Sequence, residues 1–359
     1  MKITIVGGGN IGTQFAVHCA EKGHEVTVFT SAPELYDGTL SIVNDGGIIT
    51  HEGKILLATS DPETAFRSAE CIMITMPATM MDSVADMIYH HAGKKAIIGV
   101  VPGNGGSECA FEKCIRRGNP FFGIERVPAI ARLIKKGKIV KSTGYRKELH
   151  VAALPAEYAE ICAELIQGIF NIRTTVIPNF LNLTMTPSNP ILHTSRLRSL
   201  FGEWKPGKYY SNIPLFYEDW DDESSELLIA MDEEVQEICR SISEIDLSFV
   251  KSLKIHYESP DVHSMTRKIS SISAFKGITT PVKQTEDGYI PDLDSRYFTA
   301  DFNYGLSIIQ QIGRMAEVKM PCIDETMNWY KSIYTHKDMF EYKTYGIRTK
   351  EDLFNFYSI

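Results

Sequence analysis

The sequence predicts an α/β N-terminal domain with a doubly wound, mostly parallel sheet, followed by a mainly α-helical C-terminal domain. Two observations support this fold class. In the first half of the chain, short apolar runs typical of strands alternate with segments of helical spacing. After Pro178 the strand-like runs fade, and apolar residues recur at helical spacing. We therefore expect a first domain over residues 1–178 and a second over residues 179–359, with the boundary near Pro178-Asn179.

Local signals define the elements expected in each domain. A strand is expected at each short apolar run, and a helix where apolar residues recur every three or four positions. Residues 138–145 and 148–154 are adjacent candidates for an antiparallel pair. The predicted strands are 1–6, 25–29, 71–76, 95–101, 138–145, 148–154 and 173–177. The predicted helices are 10–22, 80–90, 155–168, 181–200, 223–257, 262–273, 301–318 and 322–334.

Composition and charge argue against several classes of protein. The chain has 359 residues, of which 43% are hydrophobic and 23% charged, as in soluble globular proteins. The net charge of −8 argues against a nucleic-acid or anionic-membrane partner. No apolar run approaches the roughly 18 residues of a membrane span, and the N-terminus has no signal-peptide pattern. Seven cysteines without a Cys-x-x-Cys pair are typical of reduced thiols in a cytoplasmic protein.

A glycine-rich motif follows the first predicted strand directly. Residues 7–12 read Gly-Gly-Gly-Asn-Ile-Gly and satisfy the pattern G-x-G-x-x-G between a strand and a helix. Gly7 permits a tight turn, Gly9 lets the backbone approach a pyrophosphate, and Gly12 allows close packing of the helix on the strand. The free N–H groups at the start of the helix then face the phosphates. This context predicts a dinucleotide-binding, Rossmann-like domain.

The end of the second predicted strand bears on the choice of cofactor. NAD-binding proteins usually carry Asp or Glu there, which binds the ribose hydroxyls. This chain has Phe29-Thr30-Ser31 instead, so no carboxylate repels a 2′-phosphate and two hydroxyls are available to bind it. No Arg follows directly, and on balance we favour NADP over NAD. The predicted cofactor-binding residues are Gly7, Gly9, Asn10, Ile11, Gly12, Thr30, Ser31 and Pro77.

Four segments along the chain share their order and residue types with one enzyme family. They are residues 7–12, Val101-Pro102-Gly103-Asn104-Gly105-Gly106, Ser188-Asn189-Pro190-Ile191-Leu192-His193, and residues 295–306, which read SRYFTADFNYGL. Together they resemble the opine dehydrogenase family of the octopine/nopaline type, whose two-domain plan is similar to that of 6-phosphogluconate dehydrogenases. His193, Arg296 and Asp301 match the residues common in that family.

The resemblance implies a reaction and a set of roles. A 2-oxo acid such as pyruvate condenses with the amino group of an amino acid, and a hydride from NAD(P)H reduces the resulting imine. In that reaction His193 is the acid/base group, and Asp301 fixes its tautomer. Arg296 holds a substrate carboxylate, and Asn104, in the turn after a strand, donates a hydrogen bond to a carboxylate. These are the predicted catalytic and substrate-binding residues.

Two other functions stay open from the sequence. A ketopantoate reductase or another 2-oxo/hydroxy-acid dehydrogenase begins with the same glycine motif, and a non-catalytic dinucleotide-binding protein keeps it as well. We find no Lys and Glu constellation of the reductase kind in place of His193 and Asp301. No metal-ligand spacing such as His-Glu-x-x-His occurs, so no metal is expected. The expected partners are the small-molecule substrates and a second copy of the chain in a homodimer.

Overall fold

The structure, a computed structural model, describes residues 1–335 and 339–358. It divides into two units, one formed by residues 1–184 with 355–358 and the other by residues 185–335 with 339–354. The first unit is built on a mostly parallel sheet with helices, and the second is mainly helical. The predicted fold class is therefore confirmed.

The regular elements are numbered along the chain. The strands are β1 (Lys2–Val6), β2 (Glu25–Phe29), β3 (Thr39–Val43), β4 (Ile49–Lys54), β5 (Leu57–Thr59), β6 (Cys71–Ile74), β7 (Ile97–Val100), β8 (Phe121–Ile124), β9 (Ile130–Lys135), β10 (Ile139–Thr143), β11 (Glu148–Leu154), β12 (Arg173–Val176), β13 (Val282–Thr285) and β14 (Gly288–Pro291). The helices are α1 (Asn10–Glu21), α2 (Pro62–Phe66), α3 (Met81–His91), α4 (Ser107–Ala110), α5 (Glu112–Arg116), α6 (Ala159–Phe170), α7 (Leu181–Thr184), α8 (Ser188–Phe201), α9 (Asp222–Ser241), α10 (Leu253–His256), α11 (Val262–Ser271), α12 (Arg296–Thr299), α13 (Ser307–Met315), α14 (Pro321–Ile333) and α15 (Lys350–Tyr357). Short 3-10 helices cover Pro33–Leu35, Ala78–Met80, Ala156–Tyr158, Ser273–Phe275 and Tyr342–Tyr345, and a π-helix covers Phe302–Leu306.

The large sheet of the first unit has the strand order β12-β11-β8-β7-β6-β1-β2-β5 within the described part of the chain. Its pairs are parallel except for β8 with β11. All four residues of β6 and four of the five in β1 are buried, which is why these strands stand out as apolar runs in the sequence. The turns after β1, β2, β6 and β7 leave the sheet at one edge, the edge where ligands of open α/β sheets bind.

A second, smaller sheet corrects one prediction. Its strand order is β4-β3-β10-β9, so residues 138–145 and 148–154 do not form an antiparallel pair. β10 pairs with β9 and β3 in the small sheet, whereas β11 lies between β8 and β12 in the large one. Burial separates the two strands, since β10 alternates between buried and half-buried residues while the last four residues of β11 are all buried. The sequence analysis also missed β3, β4, β5, β8 and β9; charged residues interrupt β4 and β9.

The second unit is mainly helical, but the sequence prediction for the C-terminal half is wrong in several places. The single helix predicted over residues 181–200 is interrupted after Thr184, and it forms the two helices α7 and α8. The helix predicted over residues 223–257 ends at Ser241. A short helix resumes at Leu253, whose N–H donates to the buried Asp232 carboxylate at 2.8 Å and turns the chain back towards α9. The predicted helix 301–318 opens with the π-helix. The β13–β14 hairpin was not predicted. Within the described residues, no helix is both long and apolar enough to cross a membrane.

The division between the units falls after Thr184, beyond the boundary expected near Pro178. The Asn179 side chain donates to the Tyr357 carbonyl at 2.8 Å, which holds the end of the chain in the first unit. Leu183 also packs there, since a Cβ on Gly123 of β8 would lie 2.8 Å from its side chain. Tertiary packing therefore assigns both α7 and the C-terminal residues to the α/β unit.

A buried carboxyl group reinforces this attachment. Glu108 is 0% exposed and accepts hydrogen bonds from the hydroxyls of Thr184, at 2.6 Å, and Tyr357. Burial raises the pKa of Glu108 above the ordinary value for glutamate, despite these hydrogen bonds. Because the pKa is higher in the folded state, this group favours folding at low pH, and that contribution is lost as pH rises through the raised pKa.

Replacing Glu108 by a neutral isostere tests this pH dependence. As pH rises from about 5 to about 8, the free energy of unfolding of the wild type should fall because Glu108 ionises. We expect it to fall less in Glu108→Gln, because the amide cannot ionise. Urea denaturation at both pH values gives the difference. Glu112→Gln is the matched control, since Glu112 forms an ion pair with Arg116 on the same short helix. If Glu108→Gln and wild type lose the same free energy over this range, the pKa of Glu108 is not raised.

Candidate functional site

The turn after β1 requires glycine at its first position. Gly7 has φ +107°, in the left-handed region that side chains disfavour. Its N–H donates to the Phe29 carbonyl at 3.0 Å, which ties the turn to the end of β2. A Cβ on Gly7 would lie 2.9 Å from both Thr75 Oγ1 and Met76 Sδ. The turn backbone therefore lies directly against the chain that follows β6.

The other two motif glycines serve different purposes. A Cβ on Gly12 would lie 1.7 Å from the Gly7 carbonyl oxygen, so only glycine lets α1 pack this closely on the turn. Gly9 has no atom within 4 Å of its Cβ position, which leaves its backbone open to a ligand. It caps α1 without a side-chain hydrogen bond, so the first N–H groups of the helix are available for a phosphate. The turn fits a dinucleotide pyrophosphate.

Asn10 and Ile11 contribute less than their place in the motif suggests. The Asn10 side-chain oxygen accepts a hydrogen bond from the Leu133 N–H at 2.7 Å, so the side chain is directed to β9. Ile11 is half-buried and packs against the core of the first unit. Only the backbone N–H groups of these residues are therefore candidates for phosphate binding.

The segment that follows β2 brings an aromatic residue, Tyr36, to the glycine turn, and no sequence motif indicated it. Thr30 is buried, and its hydroxyl accepts from the Ala32 N–H at 3.3 Å. The Tyr36 hydroxyl lies over Gly8, only 2.1 Å from where a Cβ on that glycine would stand. Burial raises the pKa of Tyr36, so it stays a neutral phenol. Ser31 is exposed, so its hydroxyl, unlike that of Thr30, is accessible to a cofactor.

Two further predicted residues lie at the same edge of the large sheet. Pro77 is exposed just beyond β6, the strand beside β1. Asn104 is half-buried in the turn after β7, next to Gly105, whose φ is +74°. A Cβ on Gly103 would lie 2.6 Å from Gly123 Cα, so this turn packs tightly on β8. The predicted residues of the first unit therefore occupy one ligand-binding edge.

In the second unit, His193 has hydrogen-bond partners at both ring nitrogens. Its Nδ1 lies 2.7 Å from Asp301 Oδ2, and its Nε2 lies 2.7 Å from the Tyr217 hydroxyl oxygen. Because the carboxylate only accepts, we assign the proton to Nδ1, and Nε2 then accepts the Tyr217 proton. Only 5% of His193 is exposed, so direct access to the imidazole is restricted.

Packing between α8 and the π-helix brings His193 and Asp301 together. Pro190 lies in the first turn of α8, where a missing N–H costs no helical hydrogen bond. Gly305 lies in the π-helix that begins just after Asp301. A Cβ on Gly305 would lie 2.9 Å from Pro190 Cγ, so the glycine allows the two helices to touch. The Asn-Pro and Tyr-Gly segments of the sequence thus position the pair.

A buried arginine holds the segment that carries Tyr217. Arg196, one turn after His193 on α8, is 0% exposed. It donates to the carbonyls of Phe216 at 3.0 Å and Asp219 at 2.6 Å, and it pairs with the Asp221 carboxylate at 2.7 Å. Asp221 also caps α9. The segment around Tyr217 is therefore fixed relative to His193 by one guanidinium group.

Tyr217 itself is enclosed by aromatic rings. Its ring stacks on Phe275 with centroids 4.1 Å apart, and the residue is 4% exposed. Burial raises the pKa of Tyr217 far above its usual range, and the neighbouring Tyr297 hydroxyl adds to this rise. Tyr217 is therefore a neutral hydroxyl that donates to His193. No sequence pattern indicated Tyr217, because it lies in an irregular segment outside the family motifs.

Arg296 is exposed beside this cluster. Its guanidinium lies 5.6 Å from the Tyr297 ring centroid, and that ring packs on His193 with centroids 4.6 Å apart. It forms no ion pair within residues 1–335 and 339–358. The guanidinium therefore keeps its donors available for a carboxylate. Of the three predicted catalytic residues, His193 and Asp301 are hydrogen-bonded, and Arg296 adjoins them through Tyr297.

Segments of both units match models of known protein families. The model for the α-helical domain of NAD/NADP octopine/nopaline dehydrogenases matches residues 176–334, and the model for the N-terminus of NAD-dependent glycerol-3-phosphate dehydrogenase matches residues 2–103. These matches, together with the relatives and solved structures below, support the opine dehydrogenase family for this chain. This assignment confirms the resemblance seen in the sequence, and a nicotinamide cofactor follows from it.

Individual relatives cover nearly the whole of this chain. The octopine dehydrogenase of Pecten maximus is 24% identical over 92% of this chain and 89% of its own. The uncharacterized protein y4xO of Sinorhizobium fredii is 28% identical, over 92% and 94%. A structure of octopine dehydrogenase with NADH and L-arginine covers 98% of this chain and 97% of its own with TM-score 0.85 at 22% identity, which shows a common fold. The same enzyme has been solved with NADH and pyruvate.

Gly9 offers a test of cofactor binding that leaves the fold intact. We expect Gly9→Val to raise the dissociation constant for NADPH and NADH at least about tenfold, because the side chain fills the space a pyrophosphate would approach. No atom clashes with the new Cβ, so the stability should change by no more than about 1 kcal/mol. Fluorescence titration measures the binding.

Gly168→Ala is the control for this substitution, because Gly168 also has no atom within 4 Å of its Cβ position. We expect that variant to bind cofactor as wild type does. Wild-type affinity in a folded Gly9→Val protein would show that the turn does not hold the pyrophosphate.

Proposed function

We propose that this protein is an NAD(P)H-dependent opine dehydrogenase that joins a 2-oxo acid, such as pyruvate, to the amino group of an amino acid. The observation that carries the proposal is His193, held between Asp301 and Tyr217, in a member of this family. The amine adds to the carbonyl carbon, the carbinolamine loses water, and the resulting imine takes up a hydride to become a secondary amine. The nicotinamide supplies that hydride.

His193 handles the protons of this sequence. The amine must lose a proton before it attacks the carbonyl, and the carbinolamine hydroxyl must gain one before it leaves as water. A neutral imidazole with Nδ1–H bonded to Asp301 presents its lone pair at Nε2 for the first step. Asp301 then stabilises the imidazolium that donates the proton back. Both steps are served by one group that changes protonation state.

Tyr217 passes these protons between the substrate and His193. The Tyr217 hydroxyl oxygen lies 2.7 Å from Nε2 of His193 and donates a hydrogen bond to it, and the imidazole is almost fully buried. As the Tyr217 oxygen accepts a proton from the substrate, its own proton moves to Nε2, and the reverse transfer returns it. The tyrosine stays neutral throughout, which agrees with its raised pKa. The nearby Tyr297 hydroxyl supports the same path.

Arg296 and Asn104 bind the carboxylates of the substrates. Both the 2-oxo acid and the amino acid carry one, and a guanidinium binds such a group through two parallel hydrogen bonds. The exposed Arg296, without an ion pair among the described residues, suits this role. Asn104 supplies an amide donor at the ligand edge of the first unit. Holding both carboxylates aligns the imine carbon for hydride transfer.

NADPH is the preferred cofactor in this proposal. No carboxylate stands directly after β2 to repel the 2′-phosphate of NADPH. The exposed Ser31 hydroxyl can instead form a hydrogen bond with that phosphate. Thr30 contributes less than expected, because its hydroxyl is buried and bonded to the Ala32 N–H. The compartment is the cytoplasm, which agrees with the seven cysteines being free thiols.

The requirement for an amine tests the proposed reaction. We expect the protein to oxidise NADPH when pyruvate and a suitable amino acid are both present, with a lower KM for NADPH than for NADH. A screen of amino acids against pyruvate, followed at the nicotinamide absorbance, identifies the amine. Pyruvate-dependent oxidation that needs no amine would instead indicate a hydroxy-acid dehydrogenase. No turnover with any pair, despite tight cofactor binding, would indicate a non-catalytic protein.

The proton path is tested by two substitutions. We expect His193→Ala to lower kcat by about 10²–10⁴-fold, with cofactor binding unchanged, because the acid/base group is lost. Tyr217→Phe keeps the ring packing and removes only the hydroxyl, and we expect a fall of about 10²-fold in kcat with little change in KM. If Tyr217→Phe is as active as wild type, or more so, its hydroxyl only covers Nε2 and carries no proton.

A further inference from the structure

A group of metal-ligating side chains lies on the first unit, apart from the dinucleotide turn. His18 and Glu21 occupy the last turn of α1, and His51 lies on β4. Each offers one ligand atom, and these atoms all lie within 4.8 Å of one another; residues 1–335 and 339–358 contain no other group of this kind. The sequence analysis did not find it, because the residues come from two segments and not from one helical motif.

The packing of β4 on α1 builds this group. A Cβ on Gly53 would lie 2.7 Å from both Ala20 Cβ and the Val17 carbonyl oxygen, so β4 rests directly on the helix backbone there. His51 is two residues before Gly53 and shares its face of the strand. The glycine therefore brings the His51 imidazole to the last turn of α1. The ligand group is part of a packed interface and does not depend on flexible surface side chains.

The two distances from the Glu21 carboxylate to the imidazoles lie close to those of a metal site. His51 Nδ1 lies 2.9 Å from Glu21 Oε2, whereas His18 Nδ1 lies 3.9 Å from the same oxygen, too far for a hydrogen bond. Ligand atoms around a tetrahedral zinc ion, with bonds of about 2.0–2.2 Å, are separated by about 3.4 Å. The observed distances fall on either side of that value. A shift of about half an ångström in two side chains would bring both to it.

The surroundings of His18 hold its imidazole in an orientation that suits metal binding. It is 3% exposed, so its imidazole is held by the packing around α1. Its Nε2 lies 3.0 Å from the Tyr145 hydroxyl. If the ring proton is on Nε2, it is donated to the Tyr145 hydroxyl, and the Nδ1 lone pair faces Glu21. In metal sites, a hydrogen bond at one ring nitrogen commonly orients the histidine so that the other nitrogen binds the metal.

We propose that His18, Glu21 and His51 bind a zinc ion. Two imidazole nitrogens and one carboxylate are a donor set that zinc accepts, with a water in the fourth position. The side chains of Glu21 and His51 are 36% and 33% exposed, which gives the ion and that water access from solvent. Glu21 supplies the negative charge. The bound ion ties the end of α1 to β4, and this role is independent of the proposed reaction.

Calorimetric titration of Zn²⁺ into the untagged, chelator-treated full-length protein tests the site. We expect wild type to bind one ion per chain, and His51→Ala and Glu21→Gln each to bind at least tenfold more weakly. Tyr145→Phe should weaken binding by about tenfold, since it releases the orientation of His18. Zn²⁺ should also raise the unfolding midpoint of wild type and leave that of His51→Ala unchanged.

His91→Ala is the matched control. His91 Nδ1 lies 2.9 Å from Glu63 Oε2 with 32% of its side chain exposed, so the pair resembles His51 with Glu21 but lacks a third ligand. We expect His91→Ala to bind Zn²⁺ as wild type does. Wild-type binding no tighter than that of His51→Ala, or an equal loss in His91→Ala, would overturn the proposal. Neither readout uses the enzymatic reaction.

Discussion

The hydrogen bond between His193 and Asp301 is the interaction on which the proposed chemistry of this protein depends. It joins residues 108 positions apart and decides which ring nitrogen keeps a lone pair. The bond exists because Pro190 and Gly305 let two helices touch, and because α8 also carries Arg196, which fixes the segment of Tyr217. One helix therefore positions the imidazole and its partners at both nitrogens. The same helix lies in the part of the chain that matches the octopine/nopaline dehydrogenase model.

In the first unit, glycines allow backbone segments to lie close together and leave space for a ligand. Each motif glycine is needed for its own reason: Gly7 for its backbone angle, Gly12 for contact between α1 and the turn, and Gly9 for open space. Gly53 applies the same principle at the other end of α1, where it brings His51 to Glu21. Both ends of one helix are thus shaped by residues without side chains.

Two buried ionisable side chains, one in each unit, have hydrogen-bond partners that offset part of the cost of their desolvation. Arg196 satisfies its donors with carbonyls and the Asp221 carboxylate, and Glu108 accepts two hydroxyl protons. In each case a single polar side chain fixes a segment that has no regular structure of its own or lies at the end of the chain. Neither group takes part in the proposed reaction, but Arg196 holds the segment that carries Tyr217.

The fold class, the glycine turn and the candidate residues His193, Arg296 and Asp301 were all predictable from the sequence alone. These signals are local: an apolar run buried on both faces, a strand–glycine–helix transition, and short segments typical of one family. Three features became visible only in the folded chain: β10 and β11 lie in different sheets, Tyr217 covers His193, and His51 reaches α1. Such contacts join residues far apart in the chain, and neither hydrophobic period nor motif spacing encodes which distant segments will meet.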